Sequence, residues 1–255
     1  MINKQTRELA VCGFEAVRAL AEHHPERVRR LFFTQDRAKF FGSLCKAMAT
    51  SRRLYRLVES PSELERLCQS VHHQGVVAMI DLPEIPELDM AMVKEWAARG
   101  TRVLALDRVG NANNLGAIIR SAAFFGISRI VIGSDDEQAD ISTSSYRVAQ
   151  GGMEFVEIWR SPSAAWLVGA CAGLFTRIGA DHRSRNRLSD LGELVSSSKG
   201  ESVPVLLVLG NEETGLSREV KESCDHLVRI PGTGDIESLN VAQAATLFLY
   251  ELARV

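Results

Sequence analysis

The stretch Val203-Pro-Val-Leu-Leu-Val-Leu-Gly-Asn-Glu-Glu-Thr-Gly215 joins an unbroken apolar run to a glycine-bounded polar loop. A run this short and this apolar reads as a strand buried on both faces, and β-branched valines favour that reading over a helix. Four more runs of the kind are Val103-Leu-Ala-Leu106, Ile130-Val-Ile132, Leu174-Phe-Thr-Arg-Ile178 and Leu227-Val-Arg-Ile230, and helical patterns separate most of them. Apolar strands alternating with helices predict a parallel sheet covered on both sides. Ligands of such sheets bind in the loops beyond the carboxyl ends of the strands. Asn111 to Gly116, Gly210 to Gly215 and Pro231 to Asn240 are loops of that type.

Upstream, the pattern alternates on a smaller scale. Phe14 to Glu22, Phe40 to Met48 and Pro61 to Gln69 read as helices, and Val28 to Phe33, Leu54 to Val58 and Gly75 to Ile80 read as strands. This predicts a small α/β domain over residues 1–81. Asp81-Leu-Pro-Glu-Ile-Pro-Glu-Leu-Asp89 carries two prolines and four acidic residues, which fit neither a sheet nor a helix interior. A linker is therefore expected over 82–100, and the larger α/β domain over 101–255. Ser142-Thr-Ser-Ser145 and Ser196-Ser-Ser198 read as loops.

With 255 residues, 45% of them hydrophobic, and a net charge of -2, the chain has the balance of an ordinary globular protein. Bulk charge does not announce a nucleic-acid binder, so any such contact has to come from local basic patches. Cys12, Cys45, Cys68, Cys171 and Cys224 are odd in number and irregularly spaced, which predicts neither a disulfide framework nor a zinc site. The six histidines show no metal-ligand spacing either. A polar start, and no apolar run of membrane-spanning length, predict a cytoplasmic protein with no membrane partner.

Each of the three loops carries polar groups suited to a ligand. Asn114-Leu-Gly-Ala-Ile-Ile-Arg120 opens a helix whose apolar stripe is Leu115, Ile118, Ile119 and Ala122. Arg120 lies off that stripe, where it would meet a phosphate or a developing oxyanion, or simply face solvent. Glu212 is the carboxylate of the Gly210–Gly215 loop, and its simplest role is a negative charge at the start of the next helix. Ser238 and Asn240 either cap the last helix or face a ligand. Neither a dinucleotide-binding glycine fingerprint nor a phosphate-binding loop with its lysine occurs.

Taken together and in this order, Asn114-x-Gly116-x-x-x-Arg120, Leu209-Gly-Asn-Glu-Glu-Thr-Gly215 and Ile230-Pro231 to Ser238-Leu-Asn-Val241 resemble the three motifs of the SpoU/TrmH family of RNA ribose 2′-O-methyltransferases. Ala10-Val-Cys-Gly-Phe-Glu-Ala-Val17 with Val28-Arg-Arg-Leu-Phe-Phe33 is similar to the L30e-like RNA-binding domain that precedes the catalytic domain in many members. The resemblance implies an α/β-knot (SPOUT) catalytic domain, S-adenosylmethionine as cofactor, a homodimer, and a structured RNA, ribosomal or transfer, as substrate. The extra RNA-binding domain tips the choice towards ribosomal RNA. Carried over by position, Leu209, Gly210, Ile230, Gly234 and Leu239 would contact the cofactor. Asn114, Arg120, Glu212, Ser238 and Asn240 would form the polar catalytic set, with no metal.

Arg120 is assigned as general base in the family, yet a guanidinium stays charged in ordinary protein sites. The expectation is instead that Arg120 stabilises the developing alkoxide and holds the adjacent phosphate, that Asn114, Ser238 and Asn240 fix the ribose, and that Glu212 orients them. The chain departs from the family pattern at Asn111 and Ala112, which replace Asp-Pro, at Glu213 in place of glycine, and at Gly232 in place of methionine. None of these removes a catalytic polar group. RNA contact is expected from Arg27, Arg29, Arg30 and Arg37 beside Phe32 and Phe33, from Arg52, Arg53 and Arg56 around Tyr55, and from the basic loop Arg183-Ser-Arg-Asn-Arg187. A catalytically inactive RNA-binding or ribosome-assembly factor on the same fold, and a small-molecule α/β enzyme using another nucleotide, are the alternatives.

Overall fold

The computed structural model describes residues 2–3, 7–196 and 203–254. Ser197 and Ser198 of the second expected serine loop lie outside them. The chain forms two compact units: Met1–Glu84 with Asp140–Phe155, and Ile85–Ala139 with Val156–Val255.

The first unit is built on a five-stranded sheet of β1 (Ile2–Asn3), β2 (Glu8–Cys12), β3 (Val28–Phe33), β4 (Leu54–Leu57) and β5 (Val76–Asp81), in the order β1-β2-β5-β3-β4. β3 and β4 pair in parallel, and the other pairs are antiparallel. Helices α1 (Phe14–His23), α2 (Gly42–Thr50) and α3 (Pro61–Cys68) cover it. Ala16, Val17 and Leu20 of α1 recur at helical spacing and are buried.

The second unit holds α4 (Met90–Ala98), β6 (Arg102–Asp107), α5 (Ala112–Phe124) and β7 (Arg129–Gly133). After β7 the chain joins the first unit, where Asp140–Phe155 contains helix α6 (Thr143–Ala149). Ser142 to Ser145 is therefore a helix start rather than a loop: Ser142 accepts from the Ser145 amide, and the Ser145 hydroxyl accepts from the Ser142 amide. Arg27 locks this segment in place through the Glu154 carboxylate at 2.8 Å and the Tyr146 hydroxyl at 2.7 Å. Burial raises the Tyr146 phenol to about 12.

The chain then returns through β8 (Glu157–Ser161), α7 (Ala164–Ala170), β9 (Thr176–Ala180), β10 (Asn186–Arg187), α8 (Leu191–Leu194), β11 (Val205–Gly210), α9 (Arg218–Ser223), β12 (His226–Arg229) and α10 (Val241–Arg254). The sheet is parallel throughout, in the order β10-β12-β9-β11-β6-β7-β8. β11 lies at its centre with all six residues buried, which is why its sequence shows no alternation. On one face Val103, Ala105, Leu206 and Val208 pack with Val93 and Trp96 of α4 and Leu167 and Val168 of α7. Leu104, Leu106, Leu207 and Leu209 alternate to the opposite face, the side of α5 and α10. Each such side chain contributes about 1.5–3 kcal/mol by leaving water.

Successive strands β6, β7 and β8 step outward one way, whereas β9 lies on the far side of β11. The strand order thus reverses beside β6 and β11, and the loops beyond their carboxyl ends splay apart.

Candidate active site

The carboxyl ends of β9, β11 and β12 open into one cavity of about 500 Å³, lined by Ala180–Arg183, Leu209–Leu216, Lys221, Val228–Gly234, Ile236–Leu239, Val241, Ala244 and Phe248. This volume lies within the range of small-ligand pockets, about 300–1,000 Å³. Leu209, Gly210, Ile230, Gly234 and Leu239 all line it, as do Glu212 and Ser238. At this wall the 210–215 loop folds back on itself. Asn211 and Gly215 exchange backbone hydrogen bonds of 3.1 and 3.0 Å. A β-carbon at Gly210 would lie 2.3 Å from the Gly215 carbonyl carbon and 2.3 Å from the Leu216 nitrogen, so only glycine fits. Gly215 has φ +70°, which L side chains rarely adopt.

Glu212 crosses from this loop to the start of α5. One carboxylate oxygen accepts from Asn114 Nδ2 at 2.7 Å and from the Asn111 amide at 3.4 Å, and the other accepts from the Gly110 amide at 3.3 Å. The negative charge therefore serves the N-terminus of α5, not that of the next helix, α9, which Ser217 caps. Asn240 Nδ2 donates to Asn114 Oδ1 at 3.1 Å, while Asn240 Oδ1 caps α10 by accepting from the Ala242 amide at 2.9 Å. Glu212, Asn114 and Asn240 thus form one chain of hydrogen bonds linking three loops. It fixes each amide's orientation: Asn114 donates to the carboxylate and accepts from Asn240.

Two residues of the expected polar set stand outside that chain. Ser238 is exposed at the cavity wall and makes no hydrogen bond among the described residues, so Asn240 alone caps α10. Arg120 is exposed on α5, also without a partner among the described residues. Six residues along a helix put it about 9 Å from Asn114 along the axis and roughly a third of a turn away around it.

Three positions bearing on the site are not conspicuous in sequence. Asn211 braces the loop: its Oδ1 accepts from the Glu213 and Thr214 amides at 2.9 and 3.1 Å, and its Nδ2 donates to the Arg108 carbonyl at 2.8 Å. An asparagine ahead of a tight turn is the signal that would have found it. Asp107, at the end of β6, accepts from the Ser217 amide at 2.6 Å. Asp181, directly after β9, pairs with Lys221 at 2.7 Å beside the cavity, and Lys221 and the Arg183 amide hold its carboxyl below the usual range despite its burial. The departures from the family pattern are accommodated. Asn111 caps α5 by accepting from the Asn113 amide at 2.8 Å, Glu213 is exposed, and Gly232 has open space around it.

The basic residues expected at RNA are mostly engaged within the protein. Arg29 pairs with Asp81, Arg30 with Glu8 and Arg56 with Glu63, and Arg53 donates to the carbonyls of Pro25, Glu26 and Val28. Phe32 and Phe33 are buried, whereas Tyr55 is exposed. Arg183 is exposed, and Asn186–Arg187 of its loop form the edge strand β10.

Two family models match the chain. Residues 101–250 match the SpoU rRNA Methylase family, and residues 10–86 match the family described as RNA 2′-O ribose methyltransferase substrate binding. The chain is 32% identical over 244 residues to the 23S rRNA (guanosine-2′-O-)-methyltransferase RlmB of Acinetobacter baylyi, covering 95% of each chain. It is 29% identical over 257 residues to the protein of that name from Pseudomonas aeruginosa, covering 96% of this chain and 95% of the relative. Among solved structures, the SpoU methyltransferase AviRb from Streptomyces viridochromogenes in complex with AdoMet is 27% identical, with a TM-score of 0.72 over 98% of this chain and 91% of its own. The chain belongs to the SpoU rRNA methylase family, whose fold class is the α/β knot and whose chemistry is RNA ribose 2′-O-methylation.

Proposed function

We propose that this protein transfers a methyl group from S-adenosylmethionine to the ribose 2′-hydroxyl of a guanosine in 23S ribosomal RNA, acting as a homodimer in the cytoplasm. The observation that carries the reading is the Glu212–Asn114–Asn240 hydrogen-bond chain beside a cavity at the carboxyl ends of the strands. The substrate is inferred from relatives that are alike over nearly the full chain.

The cavity suits the cofactor: Gly210 brings the wall close, and Leu209, Ile230, Gly234 and Leu239 offer backbone and apolar contact. When bound, the sulfonium supplies an electrophilic methyl group. The protein must then position a 2′-hydroxyl in line with it and compensate the charge that develops on that oxygen. Asn114 and Asn240, oriented by Glu212, hold the ribose, and Ser238 adds a free hydroxyl at the cavity wall. Arg120 offers a cation with no internal partner among the described residues, suited to the neighbouring phosphate and the developing alkoxide.

The homodimer is supported by an aromatic patch on the α5–α10 pair, where Phe124 is 82% exposed and Tyr250 47%. Phe125 joins them, with ring centroids 5.1 Å from Phe124 and 6.0 Å from Tyr250. The cytoplasmic setting fits the free thiols of all five cysteines.

Calorimetric titration with S-adenosylhomocysteine, together with nucleoside mass spectrometry of ribosomal RNA from a deletion strain, tests the proposal. Saturable binding and the loss of one 2′-O-methylguanosine are expected. Absence of binding, or an unchanged nucleoside profile, would overturn it.

A further inference from the structure

The first unit carries an aromatic pair, half-buried Phe14 and exposed Phe40, with cations over the rings; of these residues only Arg37 belongs to the clusters read in the sequence. Phe40 ends a 3-10 turn and Phe41 follows it. Phe41 is 1% exposed and enters the core, which leaves Phe40 outside at 48%. Phe14, at the start of α1, meets Phe40 edge to face at 4.8 Å and 69°. Arg37 lies 4.7 Å from the centre of the Phe14 ring and Arg18 lies 5.9 Å from it, while the Lys39 ammonium lies 5.1 Å from that of Phe40.

The platform is held from below. The Phe14 amide donates to Gln74 Oε1 at 2.8 Å, and Arg37 Nε donates to the Gln74 carbonyl at 3.0 Å, so one glutamine fixes both ring and cation. Glu15 pairs with Arg18 at 2.6 Å and Asp36 with Arg37 at 3.3 Å, whereas Lys39 has no ion pair among the described residues.

A lone exposed phenylalanine needs no explanation. Two touching rings with three cations over them combine what single-stranded nucleic acid requires: a flat apolar face for a base and positive charge for the flanking phosphates. A paired base has its faces covered by its neighbours and cannot use such a platform.

We propose that Phe40, backed by Phe14 and flanked by Arg18, Arg37 and Lys39, is a stacking site for an unpaired nucleotide of the RNA substrate. This rests on the methyltransferase reading above. The base takes the Phe40 face now covered by the flexible Lys39 side chain, and the displaced ammonium moves to the adjacent phosphate.

The test uses the full chain and two fluorescein-labelled RNAs of equal length, a hairpin with an unpaired loop and a fully paired duplex, titrated by anisotropy at several salt concentrations. The wild type is expected to prefer the hairpin. Phe40→Ala should weaken hairpin binding about 10-fold or more, the size of one lost base–aromatic stack, and leave the duplex unchanged. Phe40→Trp should restore the hairpin, and Lys39→Gln should make its salt dependence shallower by about one phosphate contact. Equal wild-type affinity for both RNAs, an unchanged hairpin affinity in Phe40→Ala, or equal losses on both RNAs would overturn the proposal. S-adenosylhomocysteine titration of the same samples separates the two inferences: retained binding without a stacking effect sinks only this one.

Discussion

Replacing Gly210 by alanine tests whether the cofactor wall is backbone held at contact distance. The new methyl group would lie 2.3 Å from Gly215 C and Leu216 N and 2.6 Å from Gly215 O, against ordinary contacts of 3.4 Å and more. Every obstructing atom is backbone, so no side chain can swing aside, and the loop must retreat by about 1 Å. That movement pulls apart the two Asn211–Gly215 hydrogen bonds of 3.1 and 3.0 Å, at about 1 kcal/mol each. With overpacking strain of about 1–3 kcal/mol, the total is about 3 kcal/mol or more. Borne by the loop, it lowers S-adenosylhomocysteine affinity about 100-fold; borne by the fold, it lowers the unfolding midpoint by several degrees. Calorimetry and thermal unfolding of Gly210→Ala measure both, with Gly169→Ala as control. Gly169 is exposed in α7, and a β-carbon there meets nothing within 4 Å, so alanine should be neutral or slightly stabilising. A Gly210→Ala protein with wild-type affinity and melting temperature would refute the reasoning.

Three further outcomes are expected. Arg120→Lys should retain part of the single-turnover rate without a new titration in its pH profile, the outcome expected from the proposed role as a fixed charge; a rate that follows deprotonation of the lysine would assign it as the base. Phe124→Glu should shift the protein towards monomer in analytical ultracentrifugation while leaving its circular dichroism unchanged. Arg177 grips Asp225 through bonds of 2.9 and 2.6 Å and holds its carboxyl below the usual range. That stabilisation is full above the unfolded carboxylate's titration and is lost as pH falls through the folded value. Asp225→Asn should therefore cost about 1 kcal/mol or less at pH 7, the carboxylate being partly exposed, and the gap to wild type should begin to narrow below about pH 4 and vanish once pH is below the folded value, in urea unfolding.

The sheet was legible where both of its faces are covered. β11 announces itself because all six of its residues are buried, whereas β8, Glu-Ile-Trp-Arg-Ser at the sheet edge, alternates too irregularly to stand out. β10 is only two residues long and is defined by its partner β12. Ser142 to Ser145 read as a loop because serine is a weak helix former, yet the same hydroxyls make it a helix start. In the site, Asn114 lies 98 residues before Glu212 and 126 before Asn240, and the three meet through loops that no local pattern joins. Only the joint occurrence of three motifs anticipated their meeting. Asp181 also follows a strand's carboxyl end, but in sequence nothing local sets it apart from its charged neighbours His182 and Arg183, and its Lys221 partner lies forty residues on.

The passage of Asp140–Phe155 into the first unit has a consequence for how the protein can be taken apart. The chain crosses between the units three times, near residues 84, 139 and 155, so neither unit is a continuous stretch of polypeptide. A fragment cut after Glu84 would lack α6 and lose the Glu154 and Tyr146 partners of Arg27, a half-buried cation. Replacing only residues up to Glu84 by a foreign unit would leave the opposite defect, the buried Glu154 carboxylate without Arg27. A working chimera has to exchange two segments together, residues up to about 84 and 140–155.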